Sequence, residues 1–285
     1  MRRDAPNPRP IGVFDSGVGG LTVLRALTAR LPDERFIYLG DTARLPYGTK
    51  SPQTVVRYAR QAAQVLVDAD IKLLVIACNT ASAVAVDELA AAFAPLPVLG
   101  VVEPGAAAAC ARSRGGRTIV IATEGTIRGG AYERAIERRR PGLPVVGIAC
   151  PMFVALAEEG WTDGAIPEAI ARRYLQDVVS PSQPADTLVL GCTHFPVLKD
   201  VLQRVVGPGV TIVDSAETTA QAVWEQLHAP SDPAPAPARR EGEPPMEPHD
   251  RVQLWATDDP QRFARVGGRF LDLAVEAGRV RVVDL

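Results

Sequence analysis

Two cysteines occupy positions where a chain would place reagents. Cys78 follows the apolar run Leu73-Leu-Val-Ile-Ala77 and leads into Asn79-Thr80. Cys192 follows Thr187-Leu-Val-Leu-Gly191 and leads into Thr193-His194. A thiol between a strand end and a helix start meets the partial positive charge of the helix N-terminus. That charge favours the thiolate and lowers a free thiol's pKa from its usual ~8.5. One cysteine after an apolar run is as readily core packing. Two in duplicate settings, each followed by hydrogen-bonding residues, point to acid–base or nucleophilic chemistry. Cys110 and Cys150 lack that setting and read as inert. There is no Cys-x-x-Cys, so a zinc ribbon or a redox pair is not expected. Neither a metal-ligand cluster nor a lysine in a pyridoxal-type setting stands out, so no metal and no cofactor are expected.

His194 lies two residues beyond Cys192. A lone histidine is commonly structural, but this position beside a thiol at a strand end favours function. Asp15 and Ser16 follow the first apolar run, where either could cap the next helix or serve the site. Gly17-Val-Gly-Gly20 has neither the lysine of a P-loop nor dinucleotide-binding spacing, and suits backbone amides approaching a small anion. Further strand ends deliver Gly40-Asp41-Thr42, leading to Leu45-Pro-Tyr47-Gly48, and Thr123-Glu-Gly-Thr126. Open parallel sheets bind ligands beyond these carboxyl ends. Two thiols facing one another there could act on one carbon. One takes a proton while the other returns one to the opposite face, inverting a stereocentre without a cofactor. The substrate would be small, polar and anionic.

Alternating strand and helix patterns must position these groups. Strands are expected at Ile11–Phe14, Phe36–Gly40, Leu73–Ala77, Val98–Val102, Thr118–Ala122, Val145–Ala149 and Thr187–Leu190. Helical spacing marks Leu21 to Leu31, Val55 to Leu66, Thr80–Phe93, Arg128–Arg139 and Ile166–Val179. Later elements are a strand at Val210–Asp214, a helix at Ala216–His228, a strand near Arg251–Ala256, a helix at Gln261–Ala277 and a strand at Arg279–Asp284. The second half repeats the first: the runs at Ile11, Phe36 and Leu73 have counterparts, in the same order, at Thr118, Val145 and Thr187. The fold class expected is α/β, with two similar parallel-sheet domains related by a pseudo-twofold axis and the site between them.

Composition narrows the function further. The chain has 285 residues, 47% hydrophobic and 22% charged, with 31 basic against 33 acidic side chains and a net charge of −2. Two globular domains fit that length, and no basic excess suggests a nucleic-acid partner. No apolar run approaches the roughly 20 residues that span a bilayer. Met1-Arg-Arg-Asp-Ala-Pro6 has no apolar stretch behind its arginines, so no leader is expected and the location expected is cytoplasmic. Met1–Pro10 reads as a flexible tail, and the proline-rich Ala229–His249 as a loop or disordered insertion.

The motifs together resemble the glutamate racemase family. They are Phe14-Asp-Ser-Gly-Val-Gly-Gly-Leu21, Gly40-Asp-Thr-Ala-Arg-Leu-Pro-Tyr-Gly48, Ala77-Cys-Asn-Thr80, Ala122-Thr-Glu-Gly-Thr126, Glu158-Glu-Gly-Trp161 and Leu190-Gly-Cys-Thr-His-Phe-Pro196. The resemblance covers nearly the whole chain. It implies cofactor-independent interconversion of L- and D-glutamate, supplying the D-enantiomer for the bacterial cell wall. It implies that Cys78 deprotonates D-glutamate and Cys192 L-glutamate, with Asp15 assisting the first thiol and His194 the second. Asp15, Ser16, Tyr47, Gly48, Asn79, Thr80, Thr193 and His194 would contact glutamate, with Thr123 and Thr126 as additions. It also implies that a second domain, 103–213, is inserted into a first made of 1–102 and 214–285. Gly129 stands where related sequences often have serine.

Other readings within the superfamily are an aspartate racemase, or a decarboxylase or isomerase using one cysteine. The paired thiols favour a racemase over these one-cysteine chemistries. A non-enzymatic binding or regulatory relative, such as a gyrase-interacting one, would be marked by loss of a thiol, and both are present. A cysteine hydrolase has no obvious use for two symmetric nucleophiles. Glutamate is the expected partner, with no membrane and no nucleic acid, and a homodimer is left open as the assembly.

Overall fold

Runs of large apolar residues form strands that are covered on both faces, as parallel sheets require. In the computed structural model, which describes residues 7–176, 184–228 and 251–285, these are β1 (Ile11–Asp15), β2 (Phe36–Gly40), β3 (Leu73–Ile76) and β4 (Val98–Gly100) in the first part of the chain. They continue with β5 (Arg117–Ala122), β6 (Val145–Ala149), β7 (Ala185–Gly191) and β8 (Thr211–Asp214), then β9 (Val252–Ala256) and β10 (Val280–Val282). Most of the expected amino-terminal tail, the end of the helix expected to reach Val179 and the proline-rich 229–249 stretch lie outside the described residues.

Two sheets result, one ordered β10-β9-β2-β1-β3-β4 and the other β6-β5-β7-β8. Every pairing in both is parallel. The order β2-β1-β3-β4 recurs as β6-β5-β7-β8, so β1, β2 and β3 correspond to β5, β6 and β7. The order reverses between β1 and β3, and again between β5 and β7. Such reversals open a crevice beyond the strands' carboxyl ends. Cys78 lies just past β3 and Cys192 just past β7.

Helices cover both faces of each sheet: α1 (Leu21–Arg30), α2 (Pro52–Asp68), α3 (Asn79–Ala92), α4 (Val102–Arg112), α5 (Glu124–Gly129), α6 (Ala131–Arg139), α7 (Met152–Glu159), α8 (Ala165–Leu175), α9 (Lys199–Val206), α10 (Ser215–Leu227) and α11 (Pro260–Leu271). Their starts follow local chemistry. Ser51 caps α2 ahead of Pro52, Asp214 caps α10, and Asp259 caps α11 ahead of Pro260.

Several boundaries differ from the sequence reading. The helix expected over Arg128–Arg139 is two helices, because Gly130 adopts φ +59° between them. The helix expected to reach Ala277 stops at Leu271, where Asp272 turns to φ +57°. The fourth strand ends at Gly100 because Val102 already begins α4. Helices α4, α7 and α9 were not foreseen. The small residues of α4, Ala106 to Ala109, give little apolar contrast around the helix.

Alternate strand residues divide the core. Ile11, Val13, Tyr38, Leu73 and Val75 pack with α1, α10 and α11, whereas Phe14, Ile37, Leu39, Leu74 and Ile76 pack with α2 and α3. In the second sheet, Ile119, Ile121, Leu188 and Leu190 face α7, α8 and α9, and Val120, Val189 and Val213 face α4 and α6. Phe263 and Phe270 anchor α11 in the first core, each worth about 1.5–3 kcal/mol of burial. No helix among the described residues is long and apolar enough to cross a membrane.

Candidate active site

The polar strand ends of both sheets meet in one place. Cys78 caps α3, its sulfur accepting from the Ala81 amide at 3.5 Å, and its thiol lies 3.4 Å from Ser16 Oγ. Just inside the helix, Asn79 Oδ1 accepts a hydrogen bond from the Tyr132 hydroxyl of α6 at 2.7 Å, leaving Asn79 Nδ2 buried without a protein partner. The hydroxyls of Thr80, Thr123 and Thr126 form a triangle with sides of 3.0, 3.1 and 3.2 Å, joining α3 to the start of α5. Gly48 packs so closely on Thr123 that a Cβ would come within 2.8 Å. On the other side, Thr22 Oγ1 donates to the Thr193 carbonyl at 2.9 Å, and the Gly17–Gly20 loop lies against Thr193 and His194. Both thiols are shut in, at 4% exposure for Cys78 and 5% for Cys192.

Asp15 ends β1, fully inside the protein. Its Oδ2 accepts from the Gly17 amide at 2.9 Å, while Oδ1 has no hydrogen-bond partner. Burial raises its pKa, opposed by the charge of His194 and the amides of Gly20, Gly17 and Ser16. The helix-capping alternative for Asp15 and Ser16 is not what forms: the residue before α1 is Gly20, with no side-chain cap.

The expectation of a thiol softened by a helix N-terminus is overturned for Cys78. Burial first, then the charge of Asp15, pushes this thiol up to about 12, against the hydrogen bonds to Ser16 and the Ala81 amide. Desolvation of an anion inside the core outweighs the helix end. Cys192 does not begin an α-helix either. A 3₁₀ turn, Phe195–Leu198, follows it, and α9 starts only at Lys199.

The partner of Cys192 is His194. Its Nδ1 lies 3.9 Å from the sulfur and its Nε2 3.1 Å from Glu158 Oε1. Burial alone would lower the imidazole pKa, but the hydrogen bonds to Cys192 and Glu158 outweigh it and hold it up at about 10. The hydrogen bond from His194, ahead of the charge of Arg262, holds Glu158 below the usual carboxylate range despite burial. His194 is therefore an imidazolium at neutral pH, with a donor directed at each neighbour. The two sides differ: a protonated thiol beside a buried carboxyl at Cys78, and a cationic imidazole beside the sulfur of Cys192.

The contacts described above bring Asp15, Ser16, Gly48, Cys78, Asn79, Thr80, Thr123, Thr126, Cys192, Thr193 and His194 into this region. Tyr47 differs in its side chain, whose hydroxyl donates to the buried Asp41. Asp41 also accepts from Arg44 at 2.7 Å and from Thr257 at 3.0 Å, tying down the loop that presents Gly48. The Tyr47 ring packs in the same buried cluster as Cys78 while its hydroxyl is directed at Asp41. Reading the residues singly missed Glu158, Tyr132 and Asp41 as partners. Glu158 and Asp41 fall within the recurring motifs, but nothing local marks their contacts. Among the described residues, no cluster of three or more histidine, cysteine, aspartate or glutamate side chains could hold a metal ion. A cavity of about 230 Å³ by Asp87, Glu103, Arg134 and Arg138, and another of about 440 Å³ by Gln53, Arg57, Arg60 and Glu88, reach neither thiol.

Residues 20–223 match the Asp/Glu/hydantoin racemase family. The chain is 51% identical over 265 residues to a glutamate racemase of Geobacter metallireducens, covering 92% of this chain and 93% of that one. Its structure is similar to the crystal structure of glutamate racemase from Francisella tularensis in complex with D-glutamate, with a TM-score of 0.83 at 33% identity over 97% of this chain and 98% of that one. It is similar also to glutamate racemase from Thermus thermophilus in complex with β-chloro-D-alanine, with a TM-score of 0.80 at 42% identity over 98% of each chain.

Proposed function

Because the chain belongs to the Asp/Glu/hydantoin racemase family, and within it to the glutamate racemases, amino-acid isomerases, we propose that it interconverts L- and D-glutamate by a two-thiol, two-base proton transfer without a cofactor. The observation that carries this reading is the placement of Cys78 and Cys192 at equivalent strand ends of two sheets with the same strand order.

Starting from L-glutamate, the Cys192 thiolate takes the α-proton, breaking Cα–H and forming S–H. The electron pair left on carbon delocalises into the α-carboxylate. Cys78 then delivers its proton to the opposite face, forming the new Cα–H bond and leaving a thiolate. D-glutamate runs the same steps in reverse. Exchange with solvent restores the starting thiol and thiolate.

Carbanion formation at an amino-acid α-carbon needs donors placed where charge develops. Candidates are the unpartnered Asn79 Nδ2 and the threonine hydroxyls, with the main-chain amides near Gly48 and at the start of α3. Asp15 serves proton transfer at Cys78, and His194 serves it at Cys192. Ser16, Tyr47, Gly48, Asn79, Thr80, Thr123, Thr126 and Thr193 hold the substrate. Both thiols are shut in, with Gly19 against His194 and Gly48 against Thr123, so glutamate can reach them only if such contacts part. The product D-glutamate would supply peptidoglycan synthesis in the cytoplasm, and 103–213 would form a domain inserted between 1–102 and 214–285.

Circular dichroism of L-glutamate, and then of L-aspartate, incubated with the purified protein tests the reading. Glutamate should lose its optical signal far faster than aspartate. Cys78→Ala and Cys192→Ala should each abolish the change, while folded Cys110→Ala and Cys150→Ala retain it. Substantial racemisation by either of the first two variants would refute the assignment, and equal turnover of aspartate would refute the substrate.

A further inference from the structure

Helix α11 carries none of the groups placed in the site above, yet three of its side chains converge on the Cys192 side. Arg262 Nη2 donates to Glu158 Oε2 at 2.7 Å. Arg269 donates to the main-chain carbonyl of Glu158, and its guanidinium lies against Gly160. Phe270 stands edge-on to the His194 ring, with centroids 5.1 Å apart and planes at 76°. A continuous chain of contacts therefore runs from Arg262 through Glu158 and His194 to Cys192 Sγ. At Cys78, by contrast, the sulfur meets the Ser16 hydroxyl at 3.4 Å and feels the charge of the buried Asp15.

We propose that Arg262 is a positioning residue for proton transfer at Cys192: by clamping Glu158 it fixes the His194 ring, and with it the direction of Nδ1–H toward the sulfur. The proposal rests on the two-thiol reading. A glutamate side chain held by one hydrogen bond can rotate, whereas a carboxylate held at both oxygens cannot, and charge-assisted bonds of this kind are directional. Arg262 is 43% exposed on its side chain, so solvent screens the pair and its loss should cost the fold little. The Arg269 contact holds the end of α7 independently of it. Replacing Arg262 thus frees the Glu158 side chain without releasing its backbone.

The test compares Arg262→Gln, Arg262→Lys, Glu158→Gln and the Glu158→Gln/Arg262→Gln double variant with the native protein, using both enantiomers with protium or deuterium at the α-carbon. The enantiomers have equal free energy, so kcat/KM must fall by the same factor in both directions, and the isotope effects carry the assignment. Arg262→Gln should lower kcat about five- to tenfold with KM within about twofold. Slowing the Cys192 step makes it more rate-limiting. The isotope effect on kcat/KM should rise for L-glutamate, whose proton Cys192 removes, and fall toward unity for D-glutamate. Arg262→Lys should recover most of the rate, and the double variant should be no slower than Glu158→Gln alone. Unchanged kinetics in Arg262→Gln, a slower rate with both isotope effects unmoved, or additive losses in the double variant would overturn the proposal while leaving the two-thiol reading standing. Activity in Cys192→Ala, measured alongside, would overturn both.

Discussion

Gly19 lies directly against His194: a Cβ added to the glycine would come within 2.3 Å of His194 Nδ1 and 2.5 Å of Thr193 Oγ1. A loop from the first sheet thus touches the nitrogen that faces the thiol of the second. The absence of one carbon atom lets the two halves close over the site. Neither neighbour can yield freely, because Glu158 holds His194 and Thr22 holds the Thr193 main chain.

Gly19→Ala should therefore push the loop off His194, lowering kcat/KM roughly tenfold or more through misplacement of reacting groups. Its cost in stability should be about 1–3 kcal/mol, the range for overpacking. Gly209→Ala, where a Cβ meets nothing within 4 Å, is the control and should match the native protein in both. Chemical denaturation and steady-state rates check this. Native rates in Gly19→Ala would show that the close approach is irrelevant to catalysis.

Tyr132→Phe addresses the donor that faces no protein group. The phenol fixes the Asn79 amide through Oδ1, which leaves Nδ2 as the free end. Without it, the amide can turn its oxygen toward the substrate carboxylate. KM for glutamate should rise and kcat should fall, lowering kcat/KM about fivefold or more, and stability should fall by about 1 kcal/mol. An unchanged KM would remove Asn79 Nδ2 from substrate binding.

The contacts of His194 with Cys192 and Glu158 fix a pH dependence of stability. His194 is raised from 6.5 to about 10 in the folded protein, so its contribution is complete below pH 6.5 and is lost as pH rises through about 10. Glu158 is lowered from 4.5, so its contribution is present above that value and is lost in acid. The gap in unfolding midpoint between the native protein and His194→Gln should be widest between about pH 5 and 6.5 and narrow steadily toward pH 10. A gap that is flat, or that widens in alkali, would contradict an imidazolium at this position.

The sequence exposed the thiols because a cysteine after an apolar strand, with hydroxyls or an amide behind it, is a local pattern. The recurrence of Ile11, Phe36 and Leu73 at Thr118, Val145 and Thr187 corresponds to the repeated strand order. What failed was anything set by burial or by distant partners. Cys78 was expected to be softened by its helix and is instead pushed up, because its burial is a tertiary property. Arg262, Glu158 and His194 come from three separate parts of the chain, and no periodicity joins them. The bond from the Tyr47 phenol to Asp41 likewise forms only on folding, and nothing in the motif that holds both residues announces it.

Racemisation in heavy water tests the central claim, that Cys78 and Cys192 act on opposite faces. The donating thiol has exchanged with solvent before it delivers its proton, whereas a single shared base would often return the proton it had just removed. At early times the product should carry deuterium at the α-carbon while the remaining substrate stays largely protiated, whether the reaction starts from L- or D-glutamate. Product that keeps most of its original α-proton, or substrate that gains deuterium as fast as product forms, would contradict the two-base account.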